Sequence, residues 1–394
     1  MLHQDVRTLE NPLLEGIALP PLRSPEKPSK SLPVGLEIVS ADGHWDLSED
    51  IFYQKFPEKF KDRAPRVWFE KSLNSFTLGS PDSFKSNVVQ IGEMAREMLS
   101  THYTRGLYDF DERIEHMDAN GITKEILFPQ LILMYLNNGP TLDIREDVFR
   151  IFNEHLAEKT SRFPGRVFGV GVCANWWEPS RMAGAVRQIV DLGLKTFMLP
   201  NSPGKNASGK EITYGSEDME PLWAAAEEAG LPVCFHIAES LLNIEGRGVL
   251  GGFLMSAFTS FRKSAGQLIF GGVFDRHPDL KVVFAEGGIG WVPPALQDAE
   301  AIYDSYLSAL KPALKHRPSY YWHNNCYATF QSDRLGLGQL DIIGADRIMW
   351  ANDYPHPEGT HGLSHSSMQQ VLDMTPEPIA RKILGDTARA VFKI

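Results

Sequence analysis

At 394 residues, with 43% apolar and 23% charged side chains, the chain has the make-up of an ordinary globular protein and ample material for a large core, either two average domains or one barrel with insertions. Its net charge of -11 argues against a nucleic-acid or anionic-membrane surface, and no apolar run approaches the roughly 20 residues of a membrane span. Its three cysteines, Cys173, Cys234 and Cys326, lie singly in apolar segments with no CxxC partner, so buried thiols are expected rather than a thiolate zinc site or a disulfide framework.

The N-terminal stretch carries acids and no continuous apolar segment of the secretory kind, which makes the cytoplasm the expected location. Residues 1–33, rich in proline, lysine and serine, read as an extended arm lying on the body or on a partner subunit, and the body as one unit over 34–394. Val34 to Ala41 reads as a buried strand that runs into VSADGHWD. Strand alternation points Asp42 and His44 to the same side, so the segment is either a capped turn or half of a metal site. Residues 47–106 scatter aromatics among charges and are too long for a plain loop, which suggests an inserted lid with short helices.

From residue 109 an alternation sets in. Helices are expected near 109–121, 142–162, 179–192, 218–229, 257–276, 291–310 and 333–343. The strands between them are KEILFPQ, RVFGVGVCAN, LKTFMLPN, PVCFHIAE, KVVFAEGG, NNCYATFQ and RIMWAND, and two helical patterns near 364–373 and 376–391 close the chain. With the opening strand this makes the βα repetition of a (β/α)8 TIM barrel, and VSADGHWD is not the glycine-rich turn an open doubly wound sheet would show.

A barrel's chemistry sits at the carboxyl ends of its strands, so the residues ending each strand are the candidates. Histidines and carboxylates concentrate on four of them: Asp42 and His44 on strand one, His236 on five, Glu286 on six and Asp353 on eight. A lone buried histidine or a turn-capping aspartate needs no function, but four strands delivering such groups at one level favour a metal site.

VSADGHWD, DMEPLWAAAEEAGLPVCFHIAES, KVVFAEGGIGWVPPAL and RIMWANDYPHPEG, in this order, resemble the amidohydrolase-related branch of the amidohydrolase superfamily. The resemblance covers roughly 34–391 and implies a metal-dependent barrel in which Asp42, His44 and His236 are ligands. It implies for Asp353 both metal contact and proton handling. Two features depart from the pattern. The strand-one pair is Asp-x-His rather than His-x-His, and Glu286 stands where the family's decarboxylases carry a proton-handling histidine. The resulting set, Asp42, His44, His236, Glu286 and Asp353, suits Zn, Mn or Fe, one or two ions per chain.

The expected reaction is therefore hydrolysis of a carbonyl-type bond by metal-activated water, with Asp353, His236 and Glu286 as the catalytic groups, and the alternative is non-oxidative decarboxylation of an aromatic or related acid. Trp45, Trp291 and His323 are candidates for a substrate pocket, and His356 for substrate contact or for orienting a ligand. The expected partners are a small hydrophobic or aromatic acid-type substrate and a second copy of the chain, since the arm and the resemblance both suggest a homodimer.

Overall fold

Strand β1 (Thr8–Leu9) opens the structure, a computed structural model that describes residues 6–16, 22–27, 31–81, 104–133, 136, 141–237, 247–257 and 260–394. Strands β2 (Val39–Ser40) and β3 (His44–Trp45) follow, then a hairpin of β4 (Arg66–Glu70) and β5 (Ser75–Gly79). The remaining strands are β6 (Lys124–Pro129), β7 (Val167–Val172), β8 (Thr196–Leu199), β9 (Val233–His236), β10 (Val282–Ala285), β11 (Cys326–Phe330) and β12 (Ile348–Trp350). They pair in parallel in the order β2-β6-β7-β8-β9-β10-β11-β12, with β3 also on β6. The ring nearly closes where Ala41 N donates to Trp350 O (3.0 Å) and Asp353 N donates to Asp42 O (3.0 Å). This is the expected eight-stranded barrel, and its strands are buried apolar runs because lumen side chains cover one face and helices the other.

The main helices are α1 (Phe110–Ala119), α2 (Leu142–Thr160), α3 (Pro179–Asp191), α4 (Glu220–Ala229), α5 (Phe261–Phe270), α6 (Val292–Tyr306), α7 (Pro318–Asn325) and α8 (Ser364–Met374), and all but α7 fall within segments the periodicity marks. Local chemistry sets their ends. Asp109 caps α1 by accepting from the amides of Asp111 (3.1 Å) and Glu112 (3.3 Å), and Gly230, at φ 60°, turns the chain out of α4. Three readings differ. Helix α7 was not foreseen, because PSYYWHNN is aromatic and β-like although Pro318 at its first turn suits a helix start. The segment 333–343 forms two single turns, Arg334–Leu337 and Leu340–Ile343, split at Gly338, and the segment 257–276 breaks at Gly271 and Gly272.

The insertion holds the short helix Ile51–Lys55 but is built mainly on the β4–β5 ribbon, turned at Asn74 (φ 49°) and extended by β1, which pairs in parallel with β4. The short helices expected of the insertion are present at Ile51–Lys55, Glu58–Arg63 and Lys71–Leu73, beside a ribbon that was not foreseen, and its part over residues 82–103 lies outside the described residues. Described parts of the arm lie on the body. Arg23 donates to Gly359 O (3.1 Å) and Pro357 O (2.6 Å), and Glu26 N donates to Gly362 O (3.0 Å). Glu26 also accepts from Ser366 N (2.5 Å) and Ser366 Oγ (2.7 Å). Cys173, Cys234 and Cys326 are buried free thiols, as expected. Among the described residues no helix is long and apolar enough to cross a membrane.

Candidate metal centre

Six of the singled-out residues meet at the carboxyl ends of the strands: Asp42, His44, His236, Glu286, Asp353 and His356. Nε2 of His44 lies 3.9 Å from Asp42 Oδ1, 3.5 Å from Glu286 Oε2 and 3.3 Å from Asp353 Oδ1. His236 Nε2 lies 3.0 Å from Glu286 Oε2 and 3.5 Å from Asp42 Oδ1. His356 Nδ1 lies 3.4 Å from Glu286 Oε1 and 3.2 Å from Asp353 Oδ1, and its ring stacks on that of His44 at 4.0 Å.

Strand geometry explains most of this convergence. Phe235 and Phe284 face the helices and stack on each other at 5.8 Å, so their successors His236 and Ala285, which are register partners, face the lumen. Simple alternation would then send Glu286 outward. Its φ of 71° turns it back into the lumen, and Thr329 Oγ1 holds the turn by accepting from Glu286 N at 2.8 Å. Asp353, at φ 56°, makes a similar left-handed exit from β12. Left-handed backbone at non-glycine residues costs free energy and is typical of functional sites.

A buried ion pair braces the first ligand strand. Arg113 on α1 donates from Nε to Glu125 Oε2 on β6 (2.7 Å) and from Nη1 to the carbonyl of His44, and its guanidinium lies 4.7 Å from the ring centre of Tyr354. His44 N in turn donates to Tyr354 O (2.6 Å), so one side chain ties the strand-one and strand-eight ends together. Gly43 is required there, because a Cβ would run into Glu125 Oε1 and stand 2.8 Å from Arg113 Nη2. Sequence reading passed over this pair. The signal was a basic residue on the buried stripe of α1, between Phe110 and Met117, and an acid inside the apolar run of β6. Gln130, at the end of β6, was also left without a role, and its Oε1 lies 2.9 Å from His356 Nε2.

The other singled-out residues stand elsewhere. Trp45 is a core residue outside the barrel, stacked on Phe152 at 5.3 Å and edge-on to Phe110 at 6.0 Å, because the residue after a lumen position faces the helices. Trp291 packs among Phe261, Phe284 and Trp322, with Nε1 donating to Gly288 O (3.1 Å). His323 lies in α7, before β11 begins, which puts it at the end of the barrel opposite the site. Trp45 and His323 therefore do not face the site, while Trp291 packs at the start of α6.

Three carboxylates sharing one buried space repel each other and demand positive charge. Burial pushes the imidazoles of His236 and His356 towards neutrality, yet the facing carboxylates overcome it and hold both well above the ordinary histidine range. Burial likewise raises Asp42, whereas in Glu286 the neighbouring imidazoles outweigh burial and pull the carboxyl well below its usual range. A divalent cation supplies the same charge without protons. The donors fit one: both oxygens of Asp42 and of Asp353, Nε2 of His44 and of His236, and Glu286 Oε2 are buried with no hydrogen-bond partner. Imidazole nitrogens and carboxylate oxygens without a thiolate are ligands for Zn, Mn or Fe.

The amidohydrolase family model matches residues 101–394. The 2-amino-3-carboxymuconate-6-semialdehyde decarboxylase of Dictyostelium discoideum is 25% identical over 311 residues, 78% of this chain and 81% of that protein. Among solved structures, an amidohydrolase of Mycobacterium avium subsp. paratuberculosis superposes with a TM-score of 0.70 at 20% identity, over 92% of this chain and 99% of that one. The 5-carboxyvanillate decarboxylase of Novosphingobium aromaticivorans, complexed with manganese and 4-hydroxy-3-methoxy-5-nitrobenzoic acid, gives 0.65 at 19% identity, over 91% and 97%.

Proposed function

The chain belongs to the amidohydrolase family, and on that premise we propose that it is a metal-dependent, non-oxidative decarboxylase of an aromatic or related unsaturated carboxylic acid. Hydrolysis was the first expectation, because Glu286 replaces the strand-six histidine of the family's decarboxylases. One observation carries the change. The loop after β12 brings the imidazole of His356 to 3.4 Å from Glu286 Oε1, so the corner of the site that lacks a strand-six histidine has an imidazole from another strand. The decarboxylase relative, similar over most of both chains, supports the same reading.

Asp42, His44 and His236, with Glu286 Oε2 and Asp353 Oδ1, would hold the cation. When bound, such an ion supplies a Lewis acid that orients the substrate's oxygens and offsets developing negative charge. Manganese is the ion to load first, since the donors suit it and the carboxyvanillate decarboxylase holds it. Decarboxylation breaks the bond from carbon to the carboxyl group, releases carbon dioxide and leaves an electron pair on carbon, which takes a proton. Asp353 Oδ1 and His356 Nδ1, 3.2 Å apart, hold that proton between them, and Gln130 fixes the far side of the ring. Phe128, whose ring centre is 4.8 Å from that of His236, supplies an apolar wall suited to a flat substrate.

The test is to incubate manganese-loaded protein in deuterium oxide with hydroxybenzoate-type and unsaturated dicarboxylic acids, and in parallel with amides and esters. Carbon dioxide release with one deuterium at the vacated carbon is expected. Water oxygen entering a hydrolysed product, with no carbon dioxide from any acid, would return the reading to hydrolysis.

A further inference from the structure

A cavity of about 300 Å³ opens at the end of the barrel opposite the metal centre, lined among others by Lys281, Tyr327, Asp346, Arg347, Lys382 and Asp386. Lys281 and Arg347 stand immediately before β10 and β12, and Tyr327 is the second residue of β11, so three neighbouring strands deliver these side chains at their amino ends. Lys382 and Asp386 bound a widened helical turn, Lys382–Asp386, of a kind frequent at functional sites.

The charge around this cavity is unbalanced. Its carboxylates are taken: Asp346 Oδ2 accepts from Arg347 Nη2 (2.9 Å), and Asp386 accepts from Arg389. Among the described residues no carboxylate is within ion-pair distance of the half-buried Lys281 or the exposed Lys382, on which Asp279 and Asp346 act only at longer range. Burial, with the cations of Lys393 and Arg347, depresses the Lys281 ammonium below the ordinary lysine range. Arg347 Nε is buried without a hydrogen-bond partner, and Arg347 Nη1 donates to the Tyr327 hydroxyl (3.1 Å), which leaves that hydroxyl's own proton to be donated elsewhere. A chain of net charge -11 thus crowds cations around one hollow, an arrangement whose cost a bound anion removes.

We propose that this cavity binds a phosphate group, free or as the monoester of a small organic molecule, with Lys281, Lys382, Arg347 Nε and the Tyr327 hydroxyl as its donors. A phosphate carries a charge of about -1.5 to -2 at pH 7, which matches the uncompensated lysines, and offers an oxygen to each donor, whereas a carboxylate brings one charge and two oxygens. The cavity is at the small end of ligand pockets, with room for the phosphate and a short organic tail. A ligand here meets no group of the metal centre, so its effect falls on stability.

The experiment measures binding of inorganic phosphate and of glycerol 3-phosphate to the full-length, manganese-loaded protein by calorimetry, with ionic strength held constant by sodium chloride, and follows Tm in parallel. One site per chain is expected, and Lys281→Met and Lys382→Met should each weaken it, Lys281→Met by about tenfold or more, as loss of a charge-assisted hydrogen bond requires. In chloride Lys281→Met should be at least as stable as the wild type, because it removes a cation that Lys393 and Arg347 repel, and in phosphate the order should reverse. A purely structural Lys281 would instead lower Tm equally in both salts. Preference for the ester assigns the site to an organic phosphate, and phosphate bound with the ester refused assigns it to the free ion. Binding that both variants leave unchanged puts the anion elsewhere, the metal centre included, and overturns the proposal, as does the absence of saturation by either probe up to about 10 mM.

Discussion

Arg113 offers the most direct test of how the site is held. Its guanidinium and the Glu125 carboxylate are each only 1% exposed, so Arg113→Met leaves a carboxylate buried without its counter-charge. Breaking a buried pair by removing one partner costs about 3–5 kcal/mol. The structure also fixes what a double substitution should do. Arg113 Nη2 and Glu125 Oε1 have no hydrogen-bond partner, so the pair is incompletely satisfied and replacing both residues by apolar ones removes an unpaid desolvation cost along with the attraction. We therefore expect Arg113→Met and Glu125→Leu each to lose about 3–5 kcal/mol in urea unfolding of the metal-free protein, and the double variant to lose no more than either. The double variant should still bind manganese about tenfold or more weaker than the wild type, because the carbonyl of His44 and the ring of Tyr354 lose the guanidinium whatever happens to the charge. Additive stability losses, or unaltered manganese affinity in the double variant, would refute the reasoning.

Asp353→Asn should keep the fold and measurable manganese while turnover drops roughly 10²–10⁴-fold, the range for loss of a positioned proton-transfer group; steady-state carbon dioxide release reads this, and a near-wild-type rate would remove the proton role. Manganese at about 100 times its dissociation constant should stabilise the protein by about 2.7 kcal/mol over the chelated form, seen as a rise in Tm, and an unmoved Tm would speak against the fit of the donors to a cation. Burial lowers His155 to about 4, so the unfolded chain, with histidine near 6.5, binds more protons between these values and stability falls as pH drops from about 6.5 towards 4. At most this amounts to about 3 kcal/mol, and His155→Phe should flatten that part of the Tm–pH profile relative to the wild type; a parallel profile would show the group to be neutral to folding.

The barrel was legible because it repeats: apolar runs and amphipathic helical patterns alternate along the chain at intervals the hydrophobic periodicity displays. The candidate site was legible because a barrel confines chemistry to strand ends, which grouped Asp42, His44, His236, Glu286 and Asp353 although they are spread along the chain. The same rule, applied without its parity, misplaced Trp45, which directly follows the lumen residue His44 and so faces the helices. His323 was misplaced because the helix α7 hides in a segment of aromatic, β-like residues, shifting the start of β11 past it. What the sequence does not carry is backbone hand: nothing in FAEGG says that Glu286, one residue past a lumen position, returns to the lumen through a φ of 71°. Nor does it carry the pairing of Arg113 with Glu125, since each is an isolated charge until α1 packs on β6.

The grip of the N-terminal arm on the loop after β12 makes a thermodynamic link between two distant parts of the chain. Arg23 holds the carbonyls of Pro357 and Gly359, next to His356, and Glu26 holds Ser366 at the start of α8. If docking of the arm favours the loop conformation that presents His356, then occupation of the site must favour docking of the arm by the same free energy, because coupling between two equilibria is reciprocal. The arm is then a reporter as well as a brace: loading the site should slow proteolysis within residues 22–27, and the Arg23→Ala change should weaken that protection and the affinity of the site together.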